Sequence, residues 1–343
     1  MEINFEASLL HELLKISNAD KIFIDSNGKM MAINNKLWSK DIRVEKLFNP
    51  EIIEEGHTII TKEIVNLMPK TGEVILTDNI IKCGKRKIEF TPAECAFKEI
   101  DYINKTLIQL DKETMNFLLE VDYAASKEEI RPILHGAHFK NGEVCALDGF
   151  RLSLRKSDKL QIDSEFTIPL EVIKIFKKIK SKEEVIISCN ENCNIIKIQC
   201  GNDIIISKLL EGKFVNYNQL IPIESTTEIR LDKNEIKELY SILKSYGQNE
   251  KAIKLTIKEN EIYISAKSPD NLLTINDTII CNTKGKDLEI GVNYKYLKEA
   301  LDKKEKVKLC FQREISPIII KEITNLGEKI ELALPIRLKK EED

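Results

Sequence analysis

Apolar residues recur at spacings of three and four in several stretches of the chain, and runs of alternating apolar and polar residues flank each of them. The first spacing predicts amphipathic helices and the second half-buried strands. Three stretches share the order strand, capping residue, helix. They are INFEASLLHELLKI from Ile3, IQLDKETMNFLLEV from Ile108 and IRLDKNEIKELYSIL from Ile229. In this register Phe5, Leu110 and Leu231 are equivalent, as are Leu10, Met115 and Ile236, and then Leu13, Leu118 and Leu239. Asp111 and Asp232 stand where an N-cap belongs, since a carboxylate there can accept from the first free N–H groups of the helix.

A second triplet reads strand, short helix, Lys-containing turn, strand. Its members are TIITKEIVNLMPKTGEVILT from Thr58, FTIPLEVIKIFKKIKSKEEVIIS from Phe166 and LEIGVNYKYLKEALDKKEKVKLCF from Leu288. Thr61, Pro169 and Asn293 open these helices, and proline suits a first helical position. The helix openers are offset by 108 and 124 residues, against 105 and 121 for the first triplet. Two kinds of element at nearly equal offsets imply an internal triplication. Between them KIFIDSNGKMMAI, AHFKNGEVCALD and AIKLTIKENEIYISA read as strand pairs, with Asn27-Gly28 and Asn141-Gly142 as hairpin turns. The expected fold is α+β: three similar domains, each with two helices packed on antiparallel sheet. The boundaries near Tyr102–Asn104 and Pro222–Thr227 give domains 1–104, 105–223 and 224–343.

Charge narrows the function. Lys and Arg total 53 against 56 Asp and Glu, a net charge of −3, so the chain cannot coat nucleic acid with its whole surface. Any DNA contact must come from a segregated basic face. Lys174, Lys177 and Lys178 fall opposite Val172, Ile173, Phe176 and Ile179, while Lys295 and Lys298 fall opposite Leu297, Ala300 and Leu301. One such stripe is an ordinary solvated surface. Its recurrence at equivalent repeat positions makes it a candidate for phosphate contacts that hold a duplex without reading bases.

Other classes recede. Glu2 and Glu6 occupy the place of a signal peptide's positive charges, and no run reaches 18 uncharged apolar residues, so a cytoplasmic protein without membrane contact is expected. The eight Cys are scattered, and the nearest pair, Cys189 and Cys193 in SCNENC, has no second pair at metal-site spacing. Reduced, mostly buried thiols are the expectation. His135 and His138 read as opposite faces of one strand. Neither a nucleotide-binding loop nor a nucleophile–base or zinc motif occurs, so no catalytic residue, metal or cofactor is assigned.

The run Ile130-Arg-Pro-Ile-Leu-His-Gly136, followed by Ala146-Leu-Asp-Gly-Phe-Arg-Leu152, resembles the bacterial sliding clamp family, the beta subunit of the replicative DNA polymerase. Lys208-Leu-Leu-Glu-Gly-Lys-Phe214 with Tyr217 and Pro222, and the closing Leu334-Pro-Ile-Arg-Leu338, resemble the same family in the same order. The resemblance implies a non-enzymatic processivity factor. Two chains would join head to tail as a homodimeric ring of six domains, whose helices encircle double-stranded DNA. The replicative polymerase's catalytic subunit and a clamp loader would be its protein partners.

It also implies a partner-peptide pocket walled by Leu134, Leu147, Gly149, Phe150, Arg151, Leu152, Pro222, Asn293, Tyr296, Leu332, Leu334, Pro335, Ile336 and Arg337. On the residues alone, Asp148-Gly149 reads as a turn and Arg151 as a surface ion pair. By the same resemblance Arg131 would lie in a DNA-proximal loop, and Ile88, Ile242 and Leu243 at the dimer interface; the residues alone also allow a strand-start ion pair for Arg131 and an intradomain core for Ile242 and Leu243. The chain departs from the family at Leu147, usually Thr, and at Phe150, usually His or Tyr. It lacks the family's DNA-associated loop after Ser17 and adds the tail Lys339–Asp343. These departures suggest a divergent clamp. They leave open a clamp-like docking ring or half-ring on DNA without the main replicative role.

Overall fold

The computed structural model describes residues 1–95, 105–128, 130–246, 252–267 and 274–338. Over these residues the helices are α1 (Ser8–Ser17), α2 (Asn35–Trp38), α3 (Lys62–Leu67), α4 (Lys112–Leu118), α5 (Leu170–Phe176), α6 (Lys233–Tyr246) and α7 (Tyr294–Leu301). Strands Glu2–Glu6, Lys105–Leu110 and Thr227–Leu231 lead into α1, α4 and α6, and the second triplet supplies α3, α5 and α7 between strands. The α+β class is as the periodicity predicts. Leu10, Leu13, Met115, Leu118, Ile236 and Leu239 are all buried, as their spacing along one helix face requires. The boundary expected at Tyr102–Asn104 and the tail Lys339–Asp343 lie outside the described residues.

The caps explain why these helices start where they do. Asp111 Oδ1 accepts from the Thr114 N–H at 2.7 Å, and its Oδ2 accepts from the Thr114 hydroxyl at 2.7 Å and from Lys159 Nζ at 2.8 Å. Asp232 accepts from the Glu235 N–H at 3.2 Å while Glu235 accepts from the Asp232 N–H at 2.7 Å, a reciprocal capping box. Pro169 precedes α5 as its N-cap rather than opening it. The pattern does not reveal α2, which Asn34 nucleates by accepting from the Lys36 and Leu37 N–H groups. Asp111→Ala is expected to lower stability by about 1 kcal/mol, read as a fall in the urea midpoint; an unchanged midpoint would remove Asp111 as a cap.

The described chain forms two compact units, one of residues 1–116 with 159–211 and the other of 117–158 with 212–343. In the first, strands from both sequence segments share one sheet in the order 105–110, 185–189, 195–200, 203–208, 42–47, 29–33, 21–25, 57–61. The segments join where Ile205 faces Val44, and Lys46, 5% exposed, is ion-paired to Asp203 at 2.8 Å and Glu12 at 3.0 Å. Gly28 makes the turn between strands 21–25 and 29–33 at φ +84°, where a Cβ would lie 2.3 Å from the Phe48 carbonyl oxygen. A second sheet of this unit runs 51–54, 2–6, 73–77, 80–83, 86–89, all antiparallel in their pairings.

In the other unit, strands 136–140, 143–147 and 151–156 continue through 327–333, 318–324, 307–311, 227–231 and 282–285. The join is Leu152 against Leu332. A further sheet runs 274–280, 261–267, 252–258, 288–293, 335–336. Its apolar face packs with α6 and α7 in one core that includes Leu239, Leu255, Ile264 and Leu297, and Leu255 pairs with Ile264 across the sheet.

The strand expected across both histidines begins only at Gly136. Pro132 starts a 3-10 turn, Pro132–Leu134, that leaves His135 outside the strand, while His138 lies within it and stacks on Phe214 with ring centroids 4.3 Å apart.

Candidate functional site

The residues of the expected peptide pocket all fall in the unit of residues 117–158 and 212–343. The strands Glu143–Leu147 and Arg151–Lys156 are joined by a turn at Asp148. Asp148 Oδ1 accepts from the N–H groups of Phe150 and Arg151, both at 3.0 Å, and Gly149 takes φ +92°. A Cβ on Gly149 would meet nothing within 4 Å, so the residue is chosen for its backbone and not for space. The turn pushes Phe150 outward, 55% exposed. The Leu334 N–H donates to the Phe150 carbonyl at 2.9 Å, which sets Leu334, 38% exposed, beside the same turn.

Beneath this rim the chain is apolar. Leu134, Leu147, Leu152 and Leu332 are buried in one cluster with Cys145, Phe214 and Ile319. These four leucines are buried in the free chain, and Leu147 and Leu332 each pair with Leu152 across the sheet. Ile133 and Ile221, which the sequence did not single out, pack on the cluster from its half-buried margin. Pro335 and Ile336 pair with Val292 and Gly291, and Asn293 caps α7 by accepting from the Lys295 N–H at 3.0 Å. Pro222, Pro335 and Ile336 are half-buried and Arg337 is exposed.

Arg151 is no surface ion pair. Its side chain is 9% exposed; Nε donates to Asp148 at 2.9 Å, Nη2 donates to the Tyr123 carbonyl at 2.8 Å, and Nη1 pairs with Glu299. The guanidinium also lies 4.9 Å from the Tyr296 ring centroid, a cation–π distance. Burial opposes its charge, but Glu299 and Asp148 more than offset this and raise its pKa. Arg151 therefore fixes the turn that presents Phe150 and ties it to α7. Glu299 and Tyr123 carried no sequence signal, because they lie far from Arg151 along the chain.

The same face of the strand continues to Arg155, 2% exposed, whose Nη1 is 2.9 Å from Glu331 Oε1. Lys304 Nζ donates to that oxygen at 2.9 Å and the Tyr123 hydroxyl donates to Oε2 at 2.6 Å. Burial raises the pKa of Glu331, but Arg155 and Lys304 reverse this and hold it at about 2.

Lys174, Lys177 and Lys178 are exposed, while Val172, Ile173, Phe176 and Ile179 are buried, as the stripe predicts. Lys178 Nζ donates to the Ile16 carbonyl at 3.2 Å, at the end of α1. Lys295 is exposed and Lys298 half-buried, opposite buried Leu297, Ala300 and Leu301. Arg131 is exposed just before the 3-10 turn. Lys233, Lys237 and Lys303, together with Asp302 and Glu305, line a groove of about 450 Å³ beside α6 and the end of α7, where Lys233 is paired with Glu305.

Of the expected interface residues, Ile88 is half-buried on the terminal strand Arg86–Glu89 and Ile242 is half-buried on α6. Leu243 is 0% exposed within the core, so its side chain has no surface to offer a second chain. The strand Thr274–Ile280, with Ile275 and Ile280 exposed, ends the other five-stranded sheet and was not singled out. Among the described residues no group of three or more His, Cys, Asp or Glu could hold a metal ion, and no helix is long and apolar enough to cross a membrane.

This fold is that of the sliding clamps. The structure is similar to a sliding clamp from Bartonella birtlesii (TM-score 0.86, 19% identity, covering 98% of this chain and 100% of that one). It is also similar to that of Bacillus subtilis (TM-score 0.82, 22% identity, 99% and 100% covered). By sequence the chain is 27% identical to the beta sliding clamp of Bacillus subtilis over 296 residues, 80% of this chain and 78% of that protein. It is 28% identical to that of Staphylococcus aureus over 243 residues, 67% and 64% of the two. The family models for the central and C-terminal domains of the DNA polymerase III beta subunit match residues 109–216 and 218–337. The chain belongs to the DNA polymerase III beta subunit family and is a divergent DNA sliding clamp.

Proposed function

We propose that two copies of this chain close head to tail around duplex DNA and hold a replicative polymerase to its template without catalysing any reaction. The exposed Phe150 and Leu334 over a buried leucine floor carry the partner-binding part of this reading, because an apolar peptide anchor requires such a rim. Three domains, 1–104, 105–223 and 224–343, would repeat in each chain and place the exposed Lys174, Lys177, Lys178 and Lys295, with Lys298 beside them, toward phosphates. Arg86–Glu89 and Thr274–Ile280 are terminal strands of two five-stranded sheets, so pairing one with the other across two chains would remove both open edges. A clamp loader would open that joint, and the work would take place in the cytoplasm.

Retention on DNA tests the ring. Protein loaded on nicked circular DNA should stay bound in about 1 M salt and leave once the circle is cut, since topology rather than phosphate contact retains it. Equal loss from circular and linear DNA would exclude encirclement.

A further inference from the structure

We infer that Cys189 and Cys193 form a reversible dithiol–disulfide site that exchanges with small-molecule disulfides. Cys189 ends the strand Val185–Cys189, and Cys193 lies in the turn before the strand Ile195–Cys200. Their sulfurs are 3.3 Å apart. The turn that brings them together is built by Asn190, whose Oδ1 accepts from the N–H groups of Asn194 and Ile195, both at 3.0 Å, and whose Nδ2 donates to Asn194 Oδ1 at 2.7 Å. Cys193 takes φ +51°, and its N–H donates to the Asn190 carbonyl at 3.0 Å. The backbone is thus already bent into a loop that a bond between the sulfurs would close. A disulfide needs a separation of about 2 Å, so the sulfurs need approach by only about 1.3 Å.

Exposure divides the roles. Cys189 is 0% exposed and Cys193 half-buried, so Cys193 is the sulfur that an external disulfide can reach. Its thiolate attacks one sulfur of glutathione disulfide and releases one glutathione thiolate, leaving a mixed disulfide on Cys193. Cys189 then gives up its proton to solvent and attacks the Cys193 sulfur, and the second glutathione thiolate leaves. The protein dithiol loses two electrons and one glutathione disulfide becomes two glutathiones. Burial, reinforced by the adjacent Cys193 sulfur, pushes the Cys189 thiol up to about 11, which suits a resolving thiol that reacts second.

The test treats the full chain with oxidised glutathione, blocks remaining thiols with iodoacetamide and maps the peptides by mass. The expected wild-type product joins Cys189 to Cys193, carries no alkylation at either, and reverts with dithiothreitol. Cys189→Ser should accumulate a glutathione adduct on Cys193, whereas Cys193→Ser should leave Cys189 without one. Full alkylation of both cysteines in oxidised wild-type protein would overturn the inference, as would a lasting adduct on wild-type Cys193. The wild-type map decides the matter even if a variant folds poorly.

Discussion

Glu331→Gln is expected to destabilise the protein by about 3–5 kcal/mol, measured by urea unfolding at neutral pH. The substitution keeps the volume and the acceptor for Tyr123, but it leaves the ammonium of Lys304 buried without a counter-charge and the guanidinium of Arg155 with only the half-buried Glu120, 3.5 Å from its Nε. An unpaired interior charge costs more than the pair contributes, which is why removing one member is so damaging. The triple change Glu331→Leu, Arg155→Met, Lys304→Met should therefore recover much of the loss. Acid provides an independent readout. The pKa of Glu331 is depressed on folding, so its contribution is fully present above the unfolded value of 4.5 and disappears as pH falls through about 2. The gap between wild type and Glu331→Gln should close over that window. A loss below about 1 kcal/mol at neutral pH would mean that water reaches the cluster.

Phe150→Ala and Leu334→Ala are expected each to weaken binding of a short apolar peptide from a replicative polymerase by about 10-fold or more. Covering one large apolar side chain contributes about 1.5–3 kcal/mol, and both residues stand exposed in the free chain. Neither forms the floor, so the fold should survive both changes. Fluorescence anisotropy with a labelled peptide measures the effect, and the double variant should fall close to background. Unchanged affinity in the double variant would place partner binding elsewhere. Arg151→Lys gives a contrast, because a lysine cannot serve Asp148, Glu299 and the Tyr123 carbonyl together, and the Phe150 turn should loosen without losing its apolar tip.

Local rules made most of the fold legible. The triplicated helix anchors, the caps at Asp111 and Asp232 and the hairpins at Gly28 and Gly142 depend on neighbours within a few residues, and each appears in the structure. What the chain concealed depends on distant partners. The four leucines could be named by resemblance, yet only the pairing of strands distant in the chain shows Leu147, Leu152 and Leu332 side by side and buried. Arg151 looked like a surface charge because Glu299 and Tyr123 come to it from 148 and 28 residues away. Leu243 has the spacing of an exposed interface helix and of a core helix alike, and burial decides for the core.

The sheets carry a consequence for how such a chain can be cut or shuffled. Strand 203–208 pairs with 42–47, and strand 151–156 pairs with 327–333, so the middle third of the sequence finishes sheets that begin in the other two thirds. A recombination event at residues 104 and 223 would transplant a segment with two severed edges, one for each unit. A transplanted middle segment would therefore have to remake both pairings with its new neighbours before either unit could close its sheet.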